Sequence, residues 1–340
     1  MNDAGRVALG IDIGGTNVKL GLVDVDGRML GGRRFAYAAV PSFEALCDRL
    51  VRDLRDMERE AGRTAGCVGV AAPGHALAGA GLMVDGTANV PLLQNRSPAG
   101  VLRKRLGLPV LTVNDGTAAA LGELHHGAGR KWRRFAVVTF GTGVGGGVVI
   151  DGQVITGDEG EPPEIGAMVL SDVTTPPRTL EEFACAAGFT AAYQRHGGLQ
   201  PLSPEQIFAR AKAGDEPARQ AIDCTCRRIA QAFGTLINTL NLNACLVGGG
   251  IAGAGETLLE PIRQQLPSFT WPYLLARSRV ECAATGGDAG ILGAASLALQ
   301  DLARAAGERL ASKGQVDAAI GAGDEDGGVV DFHRSGPRRL

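Results

Sequence analysis

Apolar residues fall along this chain in short runs broken by glycine, alternating with longer stretches of helical period. Val7–Ile13 is a β-branched run, interrupted at Gly14-Gly15-Thr16 and resumed over Val18–Val23. An Asp26-Gly27 turn follows, and a third run begins at Met29-Leu30. Such runs bounded by glycine turns predict strand, tight turn, strand, hairpin turn, strand. From Pro41-Ser42 the apolar spacing becomes helical and predicts a helix to about Ala61, with Ser42 as N-cap and Gly62 as its stop. Cys67–Ala72 and Leu108–Val113 read as further buried strands, and Gly116–His125 as a helix.

The same design then begins again. Phe135–Phe140 is an apolar run, Gly141-Thr142-Gly143 a turn and Gly147–Ile150 a second run; Asp151-Gly152 turns the chain into Val154-Ile155. The two units start roughly 130 residues apart, far beyond the period of about 20–50 that marks a repeat array, so they read as one duplicated supersecondary unit. Helices are predicted over Leu180–Ala187, Pro204–Ala213 and Pro217–Leu240, followed by a strand at Ala244–Val247. After Gly248-Gly249-Gly250 come another helix, a strand at Val280–Ala283 and a helix from about Ala289. Strands alternating with helices imply an α/β architecture, and two copies of the unit imply two lobes with a ligand cleft between them.

Composition narrows the function. The 340 residues are 45% apolar and 21% charged, the balance of a globular protein with room for two cores. Thirty-four basic residues against thirty-six acidic ones leave no basic stripe, which argues against nucleic acid as a partner. The densest basic cluster, Arg130-Lys131-Trp132-Arg133-Arg134, lies between a helix and a strand pattern and reads as a solvated loop. No apolar run is long enough to span a bilayer and no secretory signal opens the chain, so the expected location is cytoplasmic, with no membrane partner. The seven cysteines lack regular spacing and read as reduced thiols; Cys224 and Cys226 sit in a helical pattern on different faces.

Glycine-rich turns between buried strands let backbone N–H groups approach a phosphate closely. Three are present: Asp12-Ile13-Gly14-Gly15-Thr16, Phe140–Gly147 and Val247–Gly250. The P-loop lysine pattern is missing, and Gly145-Gly146-Gly147 does not open the helix that a dinucleotide fingerprint requires. Two strand–turn–strand loops facing one another across a cleft are a sharper signal than any one of them.

Taken together, four segments resemble the ROK (repressor–ORF–kinase) family of the actin–hexokinase–Hsp70 superfamily. Gly10–Thr16 is similar to its first phosphate motif and Asn114–Glu123 to the segment that holds its catalytic aspartate. Phe140–Gly147 is similar to its second phosphate motif and Leu246–Ala252 to its adenosine motif. The resemblance covers about residues 7–300 and implies a two-lobed, actin-like (ribonuclease H-like) α/β fold with duplicated mixed sheets. The expected division is a small N-terminal domain over 1–113, a large C-terminal domain over 114–312 and a flexible tail over 313–340. The last helix, about 289–308, is expected to pack back on the N-terminal domain.

The resemblance implies an ATP- and Mg²⁺-dependent sugar kinase. Asp115 would be the general base, at a helix start whose dipole would keep its carboxylate ionised. Asp12 would orient Mg²⁺ through water. Gly14, Gly15, Thr16, Gly141, Thr142 and Gly143 would hold the phosphates, and Gly249 and Gly250 would admit the adenosine. Asn89, Asn114, Asp115, Glu164 and Glu181 would face the sugar, glucose or a related hexose or N-acetylhexosamine, with its 6-hydroxyl as the acceptor. Lys19 reads as an ordinary exposed strand lysine. A homodimer joined through long helices of the large domain is implied; a polyphosphate donor stays open, although the adenosine motif favours a nucleotide.

Two departures bear on the sugar. The family's Glu-x-Gly-His is Glu164-Ile165-Gly166-Ala167 here, preceded by Pro162-Pro163, so a sugar-binding histidine is replaced by Ala167. The family's cysteine cluster has no counterpart in Ser171–Thr179, so no structural zinc is expected. A catalytically weak sugar-binding or regulatory protein is therefore a second reading. A repressor is a third, but Asp12 lies too near the start of this sequence to leave room for a DNA-binding segment ahead of it.

Overall fold

The computed structural model describes residues 7–77, 79–171 and 176–321, with side chains as far as residue 307. In the first lobe β1 (Val7–Ile13), β2 (Asn17–Asp24) and β3 (Met29–Ala36) form an antiparallel meander. After α1 (Phe43–Ala61) come β4 (Cys67–Ala72), the hairpin β5 (His75–Leu77) and β6 (Leu82–Asp85), α2 (Pro98–Leu106) and β7 (Val110–Asn114). The sheet order is β3-β2-β1-β4-β7, with β4 parallel to both β1 and β7. The chain then enters α3 (Asp115–His126).

The second lobe repeats the plan. Its meander is β8 (Phe135–Phe140), β9 (Val144–Ile150) and β10 (Gln153–Val154), followed by the small hairpin β11 (Val169–Ser171) and β12 (Arg178–Thr179). Helices α4 (Leu180–Ala184), α5 (Ala186–Arg195), α6 (Pro204–Lys212) and α7 (Glu216–Leu240) precede β13 (Ala244–Gly248). Then come α8 (Glu256–Gln265), α9 (Pro272–Leu275), β14 (Arg279–Cys282) and α10 (Ala289–Gly321). The order β10-β9-β8-β13-β14 matches that of the first sheet strand for strand. The expected duplicated α/β architecture with two mixed sheets is thus present.

Local rules account for much of this. β4 is buried at every position, and its unbroken apolar run is what a parallel strand covered on both faces requires. Ser42 accepts the Ala45 N–H at 3.1 Å, and Gly62 stops α1 at φ 63°. That cap contributes about 1 kcal/mol.

Long-range packing decided the rest. A Cβ at Gly147 would lie 2.7 Å from Ala120 Cβ, so the glycines of β9 let α3 lie directly on the strand, which begins at Val144 rather than Gly147. The helix expected over Leu180–Ala187 breaks at Cys185 (ψ 172°), where the Ala186 N–H turns to the Gly141 carbonyl at 2.8 Å. α10 runs to Gly321, beyond the 308 expected for it, and residues 322–340 lie outside the described residues. Its first turns press on the first sheet: any Cβ at Gly10 or Gly69 would collide with the carbonyls of Ile291 or Ala294. Ile291, Leu292, Ala295 and Ala298 share a core there with Ala8, Val23 and Cys67.

In the basic cluster Lys131 pairs with Glu281 at 3.1 Å, as a solvated loop would allow, but Arg134 does more. It donates to the carbonyls of Leu240 (2.7 Å) and Asn241 (3.3 Å) at the end of α7 while pairing with Asp151. A cation there satisfies orphan carbonyls and opposes the helix dipole. Cys226 is buried and Cys224 half-buried. Among the described residues no helix is long and apolar enough to cross a membrane.

Candidate active site

The ends of strands from both sheets meet at one cavity of about 630 Å³, whose lining includes Asp12, Lys19, Asp115, Thr139, Gly249 and Gly250. Asp12 and Thr139 are the penultimate residues of β1 and β8, Asp115 follows β7 and Gly248 ends β13, so the cavity lies at the carboxyl ends of the parallel strands. Open α/β sheets bind ligands at such ends.

Each glycine turn is braced. In the first, the Gly14 N–H donates to Asn17 O at 2.9 Å. A Cβ on Gly15 would come 2.6 Å from the Asn89 carbonyl, which places Asn89 against this turn. In the second, the Gly141 N–H donates to Gly143 O at 3.0 Å, and the Val144 N–H donates to Glu181 Oε2 at 2.8 Å. Glu181, expected at the sugar, therefore has a carboxylate oxygen engaged by the second turn. In the third, Gly249 has φ 80°, and any Cβ there would strike the Phe140 carbonyl. Only glycine meets both conditions.

Asn114, also expected at the sugar, serves the backbone. Its Oδ1 accepts the N–H groups of Gly116 (2.9 Å) and Thr117 (3.1 Å), while its Nδ2 donates to Gly74 O at 3.0 Å. Asn114 rather than Asp115 is thus the N-cap of α3. Asp115 is half-buried, with Oδ1 accepting the Gly116 N–H at 2.8 Å. Burial pushes its carboxyl up from 3.8 to about 6, opposed by that hydrogen bond and reinforced by the charges of Asp12 and Glu164. Desolvation thus outweighs the local N–H groups that favour the charged form at the helix start.

Burial also raises the Asp12 carboxyl; Lys19 opposes the rise and Asp288 adds to it. Lys19 departs from the expectation of a plain strand lysine, since its Nζ donates to Gly287 O at 2.7 Å and lies 3.5 Å from Asp12 Oδ2. Glu164 and Ala167 are exposed at either end of a short 3-10 turn, the Ala167 N–H donating to Glu164 O at 3.1 Å. Residues 172–175, within the segment where the zinc-binding cysteines are missing, lie outside the described residues.

One residue of the site was invisible as such in the sequence. Glu123 is fully buried on α3, below the turn that carries Asp115. Its Oε2 accepts the N–H groups of Ala128 (2.7 Å) and Ala284 (3.1 Å); its Oε1 accepts the Thr285 N–H (2.7 Å) and hydroxyl. One carboxylate thus joins the helix of Asp115 to the loop after β14 that lines the cavity. The only available signal was its position at the end of the Asn114–Glu123 motif.

Residues 8–301 match the ROK family. The chain belongs to that family. It is 30% identical over 307 residues to a glucokinase of Thermotoga maritima, covering 85% of this chain and 96% of that one. It is 33% identical over 298 residues to an N-acetylmannosamine kinase of Salmonella newport, covering 86% and 98%. A ROK glucokinase from Streptomyces griseus, solved with glucose and AMPPNP, superposes with a TM-score of 0.73 at 26% identity, covering 86% and 99%. This ROK chain is accordingly a sugar kinase, with the family's two-lobed actin–hexokinase–Hsp70 fold.

Proposed function

We propose that this ROK protein transfers the γ-phosphoryl group of ATP to a hydroxyl of a hexose or N-acetylhexosamine, with Asp115 as general base. The reading rests chiefly on Asp115 itself, which shares the cavity with Asp12 and has its capping duty taken by Asn114. The relatives named glucokinase and N-acetylmannosamine kinase supply the substrate class, and the 6-hydroxyl is the proposed acceptor.

The residues present fit a magnesium nucleotide. Gly141 and Gly250 face open space where a side chain would otherwise stand, leaving room beside the turns. Asp12 is the carboxylate placed to hold magnesium through water, and that ion would supply charge neutralisation on the phosphoryl oxygens. Lys19 lies beside Asp12 on the same wall. The N–H groups of the first two turns would orient the β- and γ-phosphates, and Gly249 and Gly250 would take the adenosine.

Asp115, with its carboxyl near 6, is mostly ionised at neutral pH yet basic enough to take the proton of the attacking hydroxyl. Positioning supplies most of the rate in such a loose transition state. Glu164 and Asn89 would meet the sugar, while Glu181 would act through the second phosphate turn. The exposed Ala167 in place of histidine favours one other reading, a sugar-binding protein of weak activity.

ADP formation from Mg-ATP across neutral hexoses and N-acetylhexosamines separates these readings. The kinase reading expects turnover on at least one sugar and a loss of about 10²–10⁴-fold in Asp115→Asn. Nucleotide binding without turnover on any sugar would reject it in favour of the second reading.

A further inference from the structure

Away from the nucleotide cavity, the two lobes bring together one cluster that the kinase chemistry leaves unused. His75 opens β5 directly after Gly74, whose carbonyl holds the Asn114 amide. Glu159 and Glu161 come from the second lobe, on the loop between β10 and β11. One ligand atom from each residue lies within 4.8 Å of the other two, and among the described residues this is the only such group of three His, Cys, Asp or Glu.

The loop is shaped to hold both carboxylates there. The Gly157 N–H donates to Glu161 O at 2.9 Å, the Gly160 N–H donates to Gly157 O at 3.1 Å, and Gly160 turns at φ 93°. Glu161 Oε2 in turn accepts the Glu159 N–H at 2.9 Å.

One feature of the cluster is costly for protein groups alone, since solvent screens the two exposed carboxylates. His75 Nδ1 is buried with no hydrogen-bond partner, although buried polar atoms are nearly always paired. A divalent cation draws on both carboxylates and gives the imidazole a partner. One imidazole nitrogen with two carboxylate oxygens suits zinc, manganese, cobalt or nickel; magnesium and calcium prefer oxygen alone.

We propose that His75, Glu159 and Glu161 form a divalent transition-metal site that ties the β5–β6 hairpin of the first lobe to the loop leading into Glu164. The site is distinct in place and in ligands from the cysteine cluster that this chain lacks. Metal there would hold the lobes together on the side where Glu164 stands. Its effect on acceptor affinity, unlike the metal site itself, rests on the kinase reading.

The test is metal binding by the full-length, tag-free protein, stripped with chelator and free of nucleotide. Calorimetric titration with Zn²⁺ and visible absorption with Co²⁺ are followed in wild type, His75→Ala, Glu159→Gln/Glu161→Gln and Asp12→Asn. The expected result is one equivalent per chain in wild type and in Asp12→Asn. Affinity should fall at least tenfold in His75→Ala and in the glutamate double variant, whose exposed positions leave folding intact. No stoichiometric binding, binding unchanged by the double variant, or binding lost in Asp12→Asn each overturns the site. Because no turnover is measured, failure here is separable from failure of the kinase reading.

Discussion

Replacing Glu123 should loosen the nucleotide side of the site while leaving the acceptor side alone. The carboxylate is fully buried and accepts three backbone N–H groups and one hydroxyl. In Glu123→Ala the N–H groups of Ala128, Ala284 and Thr285 lose their acceptor together. The Ala128 N–H lies in a buried contact, where an orphan costs about 1–3 kcal/mol, while the part-buried Ala284 and Thr285 N–H groups can partly rehydrate, so the three together cost about 2–4 kcal/mol. Glu123→Gln is isosteric but not conservative. Its carbonyl can serve Ala128 and Ala284, and the Thr285 hydroxyl can rotate to accept from the new amide, but the Thr285 N–H is stranded at about 1–3 kcal/mol.

The assay is denaturant unfolding with and without nucleotide, beside the KM for ATP and for sugar. The order of stability should be wild type, Gln, Ala. The KM for ATP should rise several-fold in the Gln variant while that for sugar stays within twofold, because Thr285 belongs to the loop lining the cavity proposed to take the nucleotide. A purely structural role would lower stability with no split between the two constants. Unchanged stability in the Ala variant would refute the reasoning altogether.

Other predictions follow from the same geometry. With the Asp115 carboxyl at about 6, kcat/KM should fall tenfold per pH unit on the acid side of that value and level off above it, which a pH–rate profile reads directly. Burial raises that carboxyl above its ordinary 3.8, so folding favours its protonated form, and stability is lost as pH rises from about 4 through 6. Asp115→Asn should therefore unfold later than wild type at pH 8, by about 1–2 kcal/mol after screening of a half-buried group, with the gap closing near pH 4. Gly249→Ala combines a positive φ with a collision at the Phe140 carbonyl; it should weaken nucleotide binding at least tenfold by calorimetry, and wild-type affinity would contradict that placement. Arg134→Ala uncovers the carbonyls at the end of α7 and should lower stability by about 1–2 kcal/mol in thermal melts, with the KM values unchanged.

What the sequence determined by itself was local. β-Branched runs, glycine turns, the Ser42 cap and the Gly62 stop depend on neighbours a few residues away, so both meanders and α1 are legible in the order of residues alone. The glycine turns are legible for the same reason, whereas Asp12 and Asp115 stand out only through the resemblance of whole motifs. Only the tertiary structure decided what each side chain does with its hydrogen bonds and charge. It made Asn114 the cap, engaged Glu181 at the second glycine turn and set Lys19 beside Asp12. It also raised the Asp115 carboxyl where a bare helix start would lower it. Glu123 bonds to Ala284 across 161 residues of chain, and the Glu159–Glu161 loop meets His75 only because the lobes face each other. Desolvation and hydrogen-bond partnership are set by atoms that are close in space, and proximity between distant segments is not written in any local window of residues.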